Sequence, residues 1–199
     1  MTLQNGLVHG KATYLWADTA YWNSETGEMV GHETKVFFGS DWPYAGSFSC
    51  TGGNPHYMSL SVLDAKPSNI SELIEATRSA LHEYCANGGH GRLLVASFDG
   101  NSRLHLVASD DVGFAKPYEP VEMDLYTSSG NASQAFKMAD KAGWNPKRMG
   151  KVINAQIKEP IELQRPIHCA GEKSWIGGNI EQYKVARAGV KSRIVRWGV

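Results

Sequence analysis

The sequence predicts an α+β fold in which helices lie on the outer faces of two antiparallel sheets. Runs of strand-forming residues open and close the chain, a long amphipathic helix pattern follows the first runs, and two shorter helix patterns precede the last. The chain has 199 residues, of which 42% are hydrophobic, so it can bury one substantial core. We therefore expect a single domain that spans residues 1–199.

The first forty residues are typical of paired strands. Residues 7–17 and 33–38 are rich in strand-forming side chains, and Asn, Ser and Gly lie between them. This pattern predicts a hairpin system. It also places Asp18 and Lys35 near strand ends.

The rest of the chain alternates between helix and strand patterns. Apolar residues recur on one helical face from Ile70 to Cys85, after a start signal at residues 67–69 and before a glycine-rich stop at residues 87–89. The dipeptide Asp99-Gly100 is a strong two-residue hairpin signal between two apolar runs. Two further helices and two final strands are expected at residues 132–139, 149–157, 180–186 and 192–197.

Charge and cysteine usage argue against several classes of partner. Twenty basic and twenty acidic residues give a formal net charge of zero, so no overall field favours nucleic acid or an anionic membrane. The sequence shows neither an apolar run of membrane-spanning length nor a secretory signal, and we expect a cytoplasmic protein. Three cysteines at unrelated spacings fit a reducing compartment. The His82 and Cys85 pair has no standard zinc-site spacing, so we expect neither a metal nor another cofactor.

The start of the chain carries a set of residues with catalytic chemistry. A threonine hydroxyl is a poor nucleophile without a base, and a threonine at a chain terminus has one in its own α-amine. Thr2 becomes such a residue if Met1 is removed. A lysine ammonium near the hydroxyl lowers its pKa, and an aspartate can hold that lysine in place. Lys35 and Asp18 supply these two roles.

These residues, in this order, resemble the proteasome β subunits and the bacterial HslV peptidase, which are N-terminal nucleophile (Ntn) hydrolases. The spacing from Thr2 to Asp18 is that of the family, and the spacing from Asp18 to Lys35 is longer by one residue, which a hairpin turn accommodates. Further segments that resemble the family, in order along the chain, are Ala17-Asp18-Thr19, the hairpin around Asp99-Gly100, Thr127-Ser128-Ser129-Gly130 and Ile176-Gly177-Gly178.

The resemblance implies an Ntn hydrolase αββα sandwich, with two stacked antiparallel sheets between helices. It also implies a threonine-type peptidase or amidase in which Thr2 attacks the amide carbonyl, Lys35 stabilises the charged state and Asp18 orients Lys35. Ser129 and Gly130 would complete the catalytic set, and backbone amides from Ser49 to Gly52 would bind the oxyanion. The implied partners are a peptide or amide substrate, copies of the same chain in a closed ring, and an ATPase.

The late glycine pair departs from the family pattern. Active relatives carry an aspartate and a hydroxyl residue before this pair, whereas the aligned positions here are Lys173 and Ile176. Glu172 and Ser174 are candidate replacements. Two alternatives to the peptidase therefore stay open, a catalytically silent ring subunit or scaffold and a small-amide Ntn hydrolase.

Overall fold

The computed structural model of the protein describes residues 3–22, 29–51, 56–86, 88–128, 134–158 and 176–196. These residues form helices and antiparallel sheets, which confirms the predicted α+β class. All strand pairs among them are antiparallel.

The first sheet contains both ends of the described chain. Its spatial order is β10-β1-β2-β11-β12, with the strands β1 Gln4–His9, β2 Ala12–Asp18, β10 Leu125–Thr127, β11 Ile180–Ala186 and β12 Gly189–Arg196. β2 lies at the centre, between β1 and β11. Its last residue, Asp18, pairs with Ile180 at the start of β11.

The second sheet is built from the middle of the chain. Its order follows the sequence, β5-β6-β7-β8-β9, with the strands β5 Val36–Phe38, β6 Tyr44–Thr51, β7 His90–Phe98, β8 Ser102–Ala108 and β9 Val121–Glu122. The β7–β8 hairpin turns at the predicted Asp99-Gly100, where Gly100 has a φ of 104°. A separate two-stranded ribbon consists of β3 Ala20–Trp22 and β4 Met29–His32.

Helices pack on the outer face of each sheet. The described helices are α1 His56–Asp64, α2 Ile70–Ala86, α3 Gln134–Ala142 and α4 Pro146–Lys158. One apolar cluster joins α1 and α2 to the second sheet, one joins the two sheets, and one joins α3 and α4 to the first sheet. These three clusters separate four layers, with the two sheets inside and the helices outside.

The two sheets approach each other closely at Gly6 in β1. A Cβ at this position would lie within 3 Å of the Leu104 and Leu94 side chains of the second sheet. A side chain there would have to displace two buried leucines from close-packed positions. Gly6 therefore lets the backbone of β1 rest directly on the second sheet.

Several of the predicted elements are confirmed. α2, α4, the β7–β8 hairpin and β11 lie where the apolar patterns predicted them, and α3 is described from Gln134 onward. The run 7–17 is not one strand, because a turn with Gly10 at a positive φ divides it between β1 and β2.

The strands β3, β4, β6, β9 and β10 and the helix α1 were not predicted. α1 was missed because its apolar residues do not follow one face: Met58 and Val62 are buried, whereas Tyr57 and Leu60 are about half exposed.

Across the part of the chain that the structure describes, no helix combines the length and the apolar character needed to cross a membrane.

Candidate active site

A buried ion pair lies at the end of β2. The Nζ atom of Lys35 is 3.0 Å from Oδ1 of Asp18, and the two side chains are 2% and 0% exposed. Lys35 directly precedes β5, so the contact joins the first sheet to the second. Sequence reasoning expected both residues near strand ends, and the structure brings them together.

The Asp18 carboxylate also fixes two distant backbone segments. Its Oδ1 accepts a hydrogen bond of 2.9 Å from the Leu3 backbone N–H, and its Oδ2 accepts one of 3.3 Å from the Gly177 N–H. Charge-assisted bonds of this kind are about twice as strong as neutral ones. The start of the described chain, the end of β2 and the segment before β11 therefore meet at one carboxylate.

Gly178, two residues before β11, allows this approach. Thr19 accepts the Asn179 N–H on its Oγ1 at 2.9 Å, and the Ala20 N–H donates to the Gly177 carbonyl at 3.1 Å. Gly178 has a φ of 72°, and a Cβ there would collide with the His32 ring and the Thr19 hydroxyl. Only glycine fits at this position, because it readily adopts the left-handed backbone and has no Cβ atom to collide with its neighbours.

Aromatic and polar side chains surround the Lys35 ammonium. The Tyr21 ring centre lies 5.1 Å from Nζ, within the range of a cation–π contact. The Tyr21 hydroxyl is 3.2 Å from Nε2 of His56, and the same nitrogen is 2.7 Å from Oε2 of Glu33. Glu33 is 64% exposed, so this small network runs from the buried lysine to the surface.

Cys50 lies in the same electrostatic environment. Burial raises the pKa of its thiol, while a hydrogen bond with the Tyr84 hydroxyl and the charge of Lys35 act in the opposite direction. A raised pKa keeps the thiol protonated and a weak nucleophile. The environment of Cys50 therefore does not resemble that of an activated cysteine.

Burial shifts both members of the ion pair towards neutrality. It raises the pKa of Asp18, and the Lys35 charge and hydrogen bond, together with the backbone N–H groups, oppose that shift. Burial likewise lowers the pKa of Lys35, and Asp18 opposes the shift. A lysine with a lowered pKa releases its proton more readily than an exposed one. In a water-poor site its positive charge would also act strongly on a neighbouring hydroxyl.

Several of the residues predicted for the site lie outside the described part of the chain. These are Thr2, Gly52, Ser129 and Gly130, together with Lys173 and the candidate replacements Glu172 and Ser174. Ser49 is described: it is half-buried on β6, where it pairs with Arg92. No hydrogen bond between described residues joins Ser49 to Asp18 or Lys35. Its role with the oxyanion stays a prediction.

Sequence reasoning missed three contacts that shape the site. In the first, the Tyr21 ring covers Lys35. In the second, the Ser128 hydroxyl accepts the Gln4 backbone N–H at 3.0 Å. In the third, the Gln4 side chain donates to Ser47 across the sheets. Gln4 is fully buried; its Nε2 donates both bonds to Ser47, whereas its Oε1 has no hydrogen-bond partner among the described residues. Spacing along the chain gives no signal for such contacts, because their partners are 43 and 124 residues apart.

A scan against models of known protein families and a search of curated proteins found no match to this chain. Within the described ranges, no group of three or more His, Cys, Asp or Glu side chains is placed to hold a metal ion.

Proposed function

We propose that this protein is a threonine-type Ntn hydrolase of the proteasome β subunit and HslV type, acting on peptide or amide bonds. The observation that carries the proposal is the buried Asp18–Lys35 pair, whose carboxylate binds the backbone N–H of Leu3. The layer order of helix, sheet, sheet and helix is consistent with the sandwich that the family resemblance implies.

Covalent connection relates Thr2 to this pair. The Leu3 backbone nitrogen lies 2.9 Å from Oδ1 of Asp18. Because consecutive Cα atoms are about 3.8 Å apart, the peptide bond limits how far Thr2 can be from this carboxylate. The proposal requires the Thr2 hydroxyl and the lysine ammonium to come within reach of each other. Hydrogen-bond reach is the first requirement for a nucleophile and its activating group.

The proposed reaction uses the chain's own groups. Once Met1 is removed, the Thr2 hydroxyl attacks the amide carbonyl carbon and its proton passes to the free α-amine. That proton then goes to the leaving amine as the C–N bond breaks, which leaves an ester on Thr2. Water hydrolyses the ester and regenerates the hydroxyl. Throughout, Lys35 stabilises negative charge at Thr2, and Asp18 holds Lys35 in place.

A catalytically silent scaffold is the second candidate, and Ile176 favours it. The family position that carries a supporting hydroxyl is aligned with Ile176, whose side chain is 3% exposed and packs in the apolar cluster under α3 and α4. This side chain cannot hydrogen-bond to a nucleophile. Activity would then depend on another residue, such as Ser174 or Glu172. A small-amide hydrolase stays a third proposal with the same nucleophile.

Labelling of Thr2 tests the proposal. Wild-type protein that intact mass shows to lack Met1 is incubated with a β-lactone, which acylates hydroxyl nucleophiles, and the N-terminal peptide is analysed by mass spectrometry. We expect one acyl group on the residue at position 2, both in the wild type and in the variant Thr2→Ser. Thr2→Ala should not be labelled, and it should hydrolyse short amide substrates at least 1000-fold more slowly, a typical loss for a nucleophile.

Two controls make the labelling decisive. Lys35→Met should lose labelling although Thr2 is present, and Lys11→Met, which changes an exposed lysine, should label like the wild type. Circular dichroism verifies that each variant is folded. Wild-type protein that lacks Met1 but neither labels nor hydrolyses amides would refute the hydrolase and leave the scaffold.

The proposed function also suggests partners. The resemblance implies a closed ring of identical chains, because enclosure protects the cell from an exposed peptidase and closed symmetry is usual for homo-oligomers. An ATPase that delivers substrates to such a ring is part of the same proposal.

A further inference from the structure

The net charge of zero conceals a strong separation of charge. Residues 134–158 and 180–196 contain eleven of the twenty Lys and Arg residues but only two of the twenty acidic residues, Asp140 and Glu181. These stretches are α3, α4, β11 and β12. α3 and α4 cover the outer face of the first sheet, and β12 is the edge strand beside them. Among the described residues, the positive charge is therefore concentrated on the side that α3, α4, β11 and β12 form.

The exposed side of α4 carries a line of lysines. Lys147, Lys151 and Lys158 are exposed and follow one another at helical spacing, with Asn154 between the last two. The rise of 1.5 Å per residue makes this line about 16 Å long. The opposite face of the helix contributes its buried apolar residues to the core.

The line on α4 continues onto β11 and β12. Arg196 near the end of β12 donates to the Asn154 side chain at 3.0 Å, which joins the strand to the helix. Tyr183 and Val185 belong to the cluster between the sheets, so Lys184 between them points to the helix side. Lys184 pairs directly with Lys191 across the two strands, and both are exposed.

Ion pairs between described residues do not neutralise this surface. Among the described residues, no acidic side chain forms an ion pair with a Lys or Arg of α3, α4, β11 or β12. Like charges directly opposite each other in an antiparallel ladder are destabilising, so the Lys184–Lys191 pair costs stability. Lysines on an edge strand also discourage strand addition, but that role would not require the line on α4.

We propose that this basic face, formed by the outer sides of α4, β11 and β12, binds the phosphate backbone of nucleic acid without reading its sequence. Phosphate binding requires clustered Lys and Arg and little else. A protein partner is less well matched, because protein interfaces are depleted in lysine and have an apolar centre. A membrane partner usually also needs exposed apolar anchors, and Val195 is the one large hydrophobic residue exposed above 40% on these three elements.

Fluorescence anisotropy with a labelled 30-base-pair duplex of random sequence and a single-stranded RNA of equal length tests the proposal. We expect the affinity for at least one probe to fall steeply with salt. For each phosphate contact, the slope of log K against log salt should be about −0.9 for the duplex and about −0.7 for the single strand. The variant Lys147→Glu/Lys151→Glu should weaken binding at least tenfold at about 50 mM salt and reduce the slope by about 2.

The matched control is Lys66→Glu/Lys116→Glu, which makes the same change in net charge at exposed lysines on other parts of the molecule. It should weaken binding less than threefold. Lys191→Glu tests the strand part of the face and should also weaken binding, while its new carboxylate faces Lys184 and preserves the fold. An equal loss in the control, no binding of either probe by 100 µM protein, or binding only to phosphatidylserine vesicles would each overturn the proposal.

Discussion

Replacing Lys35 by methionine tests the buried ion pair directly. Methionine keeps most of the unbranched lysine side chain but removes the ammonium. Asp18 is then left as a fully buried carboxylate with only the Leu3 and Gly177 N–H groups. Removing one partner of a buried pair typically costs about 3–5 kcal/mol, because the remaining charge has no counter-charge. We expect a loss of this size in the free energy of unfolding.

Urea denaturation and thermal melting measure this loss. In a chain of this size each kcal/mol lowers Tm by roughly 2–4 °C, so Lys35→Met should melt roughly 6–20 °C lower than the wild type. The control Lys11→Met alters an exposed lysine and should change the unfolding free energy by less than about 0.5 kcal/mol. The double variant Asp18→Asn/Lys35→Met should lose less than the sum of the two single variants, since the two positions are coupled.

The pH dependence supplies a second readout. Burial raises the pKa of Asp18, and Lys35 opposes that shift, so in Lys35→Met the pKa should rise further. A carboxyl with a raised pKa in the folded state favours folding at low pH, and this contribution is lost as pH rises through the folded pKa. The deficit of Lys35→Met should therefore shrink as pH is lowered from about 8 towards 5. A deficit no larger than that of Lys11→Met at every pH would refute the argument.

Two further variants test other parts of the structure. Gly178→Ala should lower the unfolding free energy by about 1–3 kcal/mol, because φ is 72° and the new Cβ meets His32 and Thr19. Gly189→Ala has a φ of 105° but open space, so a loss as large as that of Gly178→Ala would contradict the steric argument. Burial lowers the pKa of His105, and its Nδ1 has no hydrogen-bond partner among the described residues. The imidazole therefore binds a proton more readily in the unfolded chain than in the folded protein. Stability should fall as pH drops below about 6.5, and His105→Gln should flatten that fall in a urea titration; an unchanged slope would exclude His105 as its source.

Part of the candidate site was accessible from the sequence. A threonine, an aspartate and a lysine at family-like spacing predicted which side chains to look for, and the structure places two of them 3.0 Å apart. The distance itself could not be predicted, because Asp18 ends a strand of the first sheet, Lys35 precedes a strand of the second, and the two meet only when the sheets stack. Tyr21 over Lys35 had no sequence signal for the same reason.

Local sequence patterns account for the helices, strands and turns that were predicted, because periodicities of 2 and 3.6 residues and turn residues act over short distances. They thereby predicted the α+β class, the helix α2 and the turn at Asp99-Gly100. Tertiary structure decided what those elements enclose: the burial of an ion pair, the bonds from Leu3 and Gly177 to one carboxylate, and the gathering of basic residues on one side. These features depend on contacts between residues up to 159 positions apart, and only the stacked sheets bring such residues together.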